Sequence, residues 1–266
     1  MLGGVGTCRV VETRMRTIAA LTIAISVWSA SGASALADYS ASEAETNRAA
    51  DTALRQTETL ITGIAFAFDY LATFVGEAGP PPAIIQAELQ ATTKRLDGVR
   101  SLLMIAQDGT LLHDAFAYPA PQVNLGNREY VIAAMTTPGV QIGEAVIGRT
   151  SGFPFAPISM RKPSINTVMT AITDLRKLRE PLDWCMDACG GALLTRDGKL
   201  VAISPPEARL DDKIVQEIIG REETSGTFLH AREQISFIVS FRKSERFPFI
   251  ILASKALAPT VSIATE

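Results

Sequence analysis

The sequence predicts an α+β protein: a long N-terminal helix followed by two tandem modules, each built on an antiparallel sheet. Three observations carry that prediction. First, the phrase "QDGTLL" at 107–112 returns as "RDGKLV" at 196–201, and each copy is followed downstream by "TSG", at 150–152 and 224–226. Asp-Gly between apolar runs is a hairpin signal, because glycine supplies positive φ and aspartate tolerates it. Second, the order strand, turn, strand, helix, three strands can be read twice along the chain. Third, a proline-free run with helical periodicity precedes both copies.

In chain order, the long helix runs from Ser40 to about Glu77. Ala50, Leu54, Ile61, Ile64, Phe68, Leu71 and Val75 form a heptad-like seam on it. Such a seam serves either to pack the helix on its own sheet or to pair it with a second copy as a stalk. "GEAGPPP" at 76–82 ends the helix, and a second helix covers Ala83–Leu96. The first module then reads as a strand at 99–106, the Asp108-Gly109 turn, and a proline-rich loop. A short helix follows at 127–135 with Asn127 as its N-cap. Three strands come next, "GVQIGEAVIGR", "FPFAPISMR" and "INTVMTAIT", and a helix near Asp174–Leu182 closes the module. The second module has its turn at Asp197-Gly198 and a helix at about Leu210–Ile219. Its strands are "GTFLHA", "ISFIVSFR" and "FPFIILAS". The expected divisions are 1–37, 38–97, 98–181 and 182–266.

Composition bounds the function. The 266 residues are 47% hydrophobic with a net charge of −3. That is ample for a core and gives no electrostatic footprint for nucleic acid. His113 and His230 are the only histidines, and no metal site or cofactor is expected. No Walker loop, G-x-S-x-G or H-E-x-x-H motif points to an enzyme.

The N-terminus points to export. Arg9, Arg14 and Arg16 precede the uncharged stretch 17–37, and Asp38, Glu43 and Glu45 follow it. The charge asymmetry places the N-terminus in the cytoplasm. The stretch reads either as a membrane helix or as a signal peptide cleaved after Ala35-Leu36-Ala37. The chain is expected in the cytoplasmic membrane with its domain in the periplasm, or soluble there after cleavage at Ala37. Cys8 falls in this leader. Cys185 and Cys189 lie one turn apart if "PLDWCMDAC" is helical, either as a disulfide or as two small buried thiols.

Taken together, these features resemble the double Cache extracytoplasmic sensor domains of bacterial membrane receptors. The residues that carry the resemblance are the membrane helix and long helix, the strand ending in "DG", "NREYV" opening a short helix, "VIGRTSG" before a strand ending in "ISMR", and the second module's "GGALLTRDGKLVA". The resemblance covers residues 17 to about 257. It implies two PAS-like modules and recognition of a small molecule in the membrane-distal one. It also implies a signal passed to an output domain, which the sequence to Glu266 does not contain, and it makes a homodimer through the long helix the expected assembly.

The resemblance further points to Arg128 and Tyr130 as ligand-binding residues. A guanidinium can clamp a carboxylate bidentately and a phenol can add a hydrogen bond. Ser159 and Arg161, two apart on a strand, face one side and complete the candidate set. The competing roles are a structural ion pair for Arg128 and a solvated surface position for Arg161. In family members that bind amino acids an acidic residue on the last distal strand pairs with the ammonium. Ala171 falls there, with Asp174 three residues later, so a small carboxylate without an ammonium group is the expected ligand. The alternative function is a structural or dimerisation module without a ligand.

Overall fold

The computed structural model describes residues 9–149 and 151–257, with side chains from Asp38 onward, Ala78 apart. The stretch 17–37 and Cys8 therefore lie outside the described side chains. Residues 1–44 and 45–266 form two compact units; helix α1 runs through both, and the packing and the site described below belong to the second.

Helix α1 (Arg9–Ala78) is followed by α2 (Pro82–Arg95), which starts on a proline, a residue suited to the first helical turn. Two antiparallel sheets come next. The first contains β1 (Val99–Ala106), β2 (Leu111–Asp114), β3 (Gln141–Ile142), β4 (Val146–Ile147), β5 (Pro154–Lys162) and β6 (Thr167–Thr173) in the order β2-β1-β6-β5-β3, with β4 also pairing β5. The second contains β7 (Cys189–Thr195), β8 (Leu200–Ser204), β9 (Ser225–Arg232), β10 (Ile235–Lys243) and β11 (Phe249–Ala256) in the order β8-β7-β11-β10-β9. The two orders correspond strand for strand, so the structure is the tandem α+β arrangement expected from the sequence. Helices α3 (Glu129–Thr136) and α5 (Asp212–Gly220) occupy matching places, and α4 (Leu175–Arg179) with a 3-10 turn at Glu180–Leu182 joins the modules.

The repeated Asp-Gly turns are equivalent. Gly109 (φ 86°) joins β1 to β2 and Gly198 (φ 87°) joins β7 to β8. Each hairpin carries a register shift near its turn, at Met104/Ile105 and at Leu193/Leu194. The two Thr-Ser-Gly stretches are not equivalent. The first leads into β5, whereas the second opens β9, the counterpart of β3.

Each sheet is covered on both faces, which is why β1, β6, β7 and β11 read as apolar runs without strict alternation. One face of both sheets shares a core with α1: Ile61, Ile64, Phe68 and Leu71 pack with Leu102, Met104, Ala156, Ile158 and Ala171, and with Phe249 and Ile251. The heptad-like seam is therefore an intramolecular packing face. Polar ties add to it. Arg242 Nε bonds Asp51 Oδ1 at 2.6 Å, Ser244 Oγ bonds Glu58 Oε1 at 2.6 Å, and Lys162 pairs with Asp69. Residues 38–77 are also long and apolar enough to cross a membrane by length and composition. From Thr46 to Ala72 one side of this helix is buried with the sheets, which makes that part the domain's core helix. The opposite face of the first sheet packs under α3 and that of the second under α5.

Several local expectations change. Arg128, with extended φ/ψ, is the N-cap of α3, and Asn127 instead accepts a 2.6 Å bond from Arg149. "GVQIGEAVIGR" forms two two-residue strands, with the Cα of Gly143 against the Pro157 ring where a Cβ would sit 2.7 Å from its Cγ. "PLDWCMDAC" is not helical beyond Leu182, yet Cys185 and Cys189 are bonded to each other, Cα to Cα 5.9 Å.

Candidate ligand-binding site

A cavity of about 780 Å³ opens over the α3 face of the first sheet. Its floor is Leu103 from β1, Phe155 from β5 and Ile172 from β6, and Val123 and Leu125 from the loop before α3 form a wall. That loop is held by the first Asp-Gly turn. Leu125 N–H donates to Gly109 O at 2.7 Å, and Asn124 Nδ2 donates to Asp108 O at 2.8 Å. The turn is thus the footing of the cavity wall as well as a strand connection.

Five arginines and two aspartates supply the charged groups of the lining. Arg128 donates from Nη2 to Ile147 O at 3.1 Å, while its Nε is buried without a hydrogen-bond partner among the described residues. Arg179 Nε is in the same state. Burying a donor unpaired costs about 1–3 kcal/mol, so two of them beside one cavity require an explanation. Arg149 is anchored to Asn124 O and Asn127 Oδ1, both at 2.6 Å, and Arg100 to Pro154 O at 2.7 Å.

The carboxylates are already engaged. Asp114 is buried and accepts from Ser101 Oγ (2.7 Å) and from Phe116 N–H (2.9 Å). Asp174 caps α4, accepting from Arg176 N–H at 2.9 Å, and also holds the Arg176 guanidinium, with Nη2 to Oδ2 at 2.7 Å. The hydrogen bonds from Arg176 keep the Asp174 carboxyl below its ordinary pKa despite some desolvation. Tyr130 is 5% exposed, and burial pushes its phenol upward, against the smaller opposing pull of Arg128 and Arg149. It therefore stays protonated and able to donate.

The structure thus brings Arg128 and Tyr130 together at the cavity. No described ion pair involves Arg128. Ser159 and Arg161 share the strand face of Phe155 but lie farther along β5 and do not line the cavity. Ser159 is buried with its hydroxyl 2.9 Å from Thr170 Oγ1, and Arg161 is exposed. Parity gave their face and could not give their distance along the strand. Ala171 points to the α1 core, and Asp174 is the residue that reaches the cavity. Arg100, Arg149, Arg176 and Arg179 escaped sequence reasoning because each sits at an element end or in a loop, where no periodicity marks a facing.

The second module carries a built-in comparison. At the corresponding place, over the starts of β7 and β10 and the ends of β8 and β11, the space is about 90 Å³, too small for an organic ligand of ordinary size. There Asp211, N-cap of α5, is 3.1 Å from His230 Nε2.

Two tandem antiparallel sheets along one helix is also the fold of several solved extracellular and ligand-binding domains to which this chain is similar. The extracellular domain of rpHK1S-Z16, a protein assigned to the histidine kinases, superimposes with a TM-score of 0.72 at 17% identity, covering 82% of this chain and 96% of its own. The ligand-binding domain of the Pseudomonas fluorescens chemoreceptor CtaA, bound to L-alanine, gives 0.60 at 15% identity, covering 83% and 99%. That of the Campylobacter jejuni chemoreceptor Tlp3, bound to L-norvaline, gives 0.61 at 9% identity, covering 83% and 92%. No protein-family model matches the sequence, and no curated protein does.

Proposed function

We propose that this chain is the extracytoplasmic ligand-binding domain of a membrane receptor, and that it binds a small carboxylate in the first-module cavity and passes the signal to a cytoplasmic output. The observation that carries the reading is the contrast between equivalent places in the two modules: about 780 Å³ lined by five arginines in the first, about 90 Å³ in the second. Arg128 supplies the charged clamp, and Tyr130 donates a hydrogen bond beside it. We read the domain as a binder and not an enzyme. The neighbours CtaA and Tlp3 hold amino acids; here both lining carboxylates already have partners, which favours a ligand without an ammonium group. Residues 17–37 would anchor the chain, with the domain in the periplasm and residues 98–181 as the membrane-distal module. A homodimer through α1 would use the face opposite the sheets, where Phe66 and Tyr70 are exposed.

Calorimetric titration of the purified chain with organic acids tests the reading. Removing a charge-assisted bidentate contact costs about 1.5–3 kcal/mol, so Arg128→Ala should weaken binding roughly 10- to 100-fold. Arg128→Lys should restore only part of it, because an ammonium lacks the planar fork. Unaltered affinity in a variant that melts at the wild-type temperature would refute the site.

A further inference from the structure

We infer that the ligand of this cavity is a dicarboxylate with an apolar body, a class narrower than the small carboxylate proposed above and resting on that proposal. The cationic excess is the first ground. Of the five guanidinia in the lining, only Arg176 is paired with a carboxylate, Asp174. Arg100 and Arg149 are oriented by neutral oxygens and form no described ion pair, although Arg100 lies near enough to Asp174 to act on its carboxyl; with Asp114 counted, the lining keeps a cationic excess. Arg128 and Arg179 each retain a buried Nε donor with no acceptor among the described residues. A single carboxylate compensates one unit of this charge.

The second ground is where the two under-paired guanidinia come from. Arg128 enters at the start of α3, and Arg179 at the end of α4, the helix that leaves β6. The cavity that both arginines line also has a large apolar share: Leu103, Phe155 and Ile172 on the floor, Leu125 on the wall. At the mouth stand Phe116 and Phe153, 85% and 64% exposed, two aromatic rings left in water that an apolar ligand body would cover. A short hydroxylated diacid would leave that surface wet. An alkyl or aryl skeleton with a carboxylate at each end would fill it, one end on Arg128 with Tyr130 and the other on Arg179.

The volume agrees: about 780 Å³ is in the range of cavities that enclose drug-sized ligands and is generous for a two- or three-carbon acid. Arginine is the side chain suited to both ends, since its fork matches a planar carboxylate and stays charged at any physiological pH.

The test is calorimetric titration of the full chain with two matched pairs, adipate against hexanoate and terephthalate against benzoate. Each pair keeps the skeleton and changes only the second carboxylate. The wild type should bind at least one dicarboxylate tenfold or more tighter than its partner, the worth of one added charge-assisted contact. In Arg179→Gln the ratio within that pair should fall to near one, whereas Arg128→Ala should weaken both members. If both monocarboxylates bind as tightly as their dicarboxylates, the inference is wrong and the carboxylate-sensor reading stands. If oxalate or malate outcompetes adipate and terephthalate, the apolar body is wrong. If no acid of either class binds, the carboxylate reading itself falls. Should Arg179→Gln fail to fold, the wild-type ratios alone decide the matter.

Discussion

Replacing the glycine of each Asp-Gly turn by alanine should give two different outcomes, although the local sequence and backbone are nearly the same. Gly109 and Gly198 have φ of 86° and 87°, a region that costs an L-residue about 1–2 kcal/mol. What a new methyl group meets differs. At Gly109 it would lie 2.3 Å from Gly126 N and 2.4 Å from Gly126 Cα, main-chain atoms that cannot rotate away. At Gly198 it would meet Ile219 Cδ1 at 2.4 Å and Val215 Cγ1 at 2.7 Å, the ends of side chains. Forcing extra volume into a packed contact costs about 1–3 kcal/mol, toward the upper end against backbone. Gly109→Ala should therefore cost about 2–5 kcal/mol and Gly198→Ala about 1–3 kcal/mol, readable by urea denaturation. Binding should separate them further. Gly109 O holds Leu125 N–H, and Leu125 lines the cavity, so Gly109→Ala should weaken adipate binding at least tenfold. Gly198→Ala should leave it within about threefold. A Gly198→Ala cost equal to or above that of Gly109→Ala, or wild-type adipate affinity in Gly109→Ala, would refute the reasoning.

Two further outcomes follow from the site and its surroundings. Affinity for a dicarboxylate should be flat between about pH 5.5 and 8.5, because arginines do not titrate there, Asp174 is held below its usual range and Tyr130 above its own. The stability that Asp174 contributes is complete above about pH 4 and is lost as pH falls through its lowered folded-state value, whereas that of Tyr130 is present below about pH 10 and is lost as pH rises through its raised one; a tenfold affinity change inside the window would sink this account. Reducing the Cys185–Cys189 bond, which closes a loop of sequence separation 4, should lower the melting temperature by several degrees, for a loss of about 2 kcal/mol, and an identical melt with and without reductant would show the bond to contribute nothing.

The fold was legible where the physics is local or periodic. The Asp-Gly turns declared themselves because positive φ needs glycine, and the helix seam declared itself through its spacing. The seam's partner was not legible: Ile61, Phe68 and Leu71 show the same periodicity whether they meet a sheet of their own chain or a second helix. The lining of the candidate cavity was partly legible. "NREYV" pointed through resemblance to Arg128 and Tyr130, which line it, and strand parity put Ser159 and Arg161 on the face of Phe155, but they lie farther along β5 and do not line it. Arg179, Arg149 and Arg100 carry no sequence signal, since what brings them together is the order in which strands are laid side by side.

The two modules differ in the connections between their strands, and those connections account for the different sizes of the two cavities. The sheets match strand for strand, so the strands themselves do not distinguish the two cavities. The connections do. Between β2 and α3 the first module has 115–128, and between β3 and β5 it has 143–153 with the minor strand β4; the second module passes from β8 to α5 by 205–211 and from β9 to β10 by 233–234. The longer connections build the wall that carries Val123 and Leu125 and deliver Arg128 and Arg149 to the cavity. In the second module the short connection keeps α5 close, Ile214 and Phe237 border the space, and about 90 Å³ remains. Rigid sheets with functional residues on their connecting loops are the usual division of labour in binding proteins. Here both states of that division stand in one chain. It follows that lengthening the β8–α5 connection should enlarge the second cavity without giving it carboxylate affinity, because length alone supplies none of the arginines that the first module places on β1, on α4 and in its longer connections.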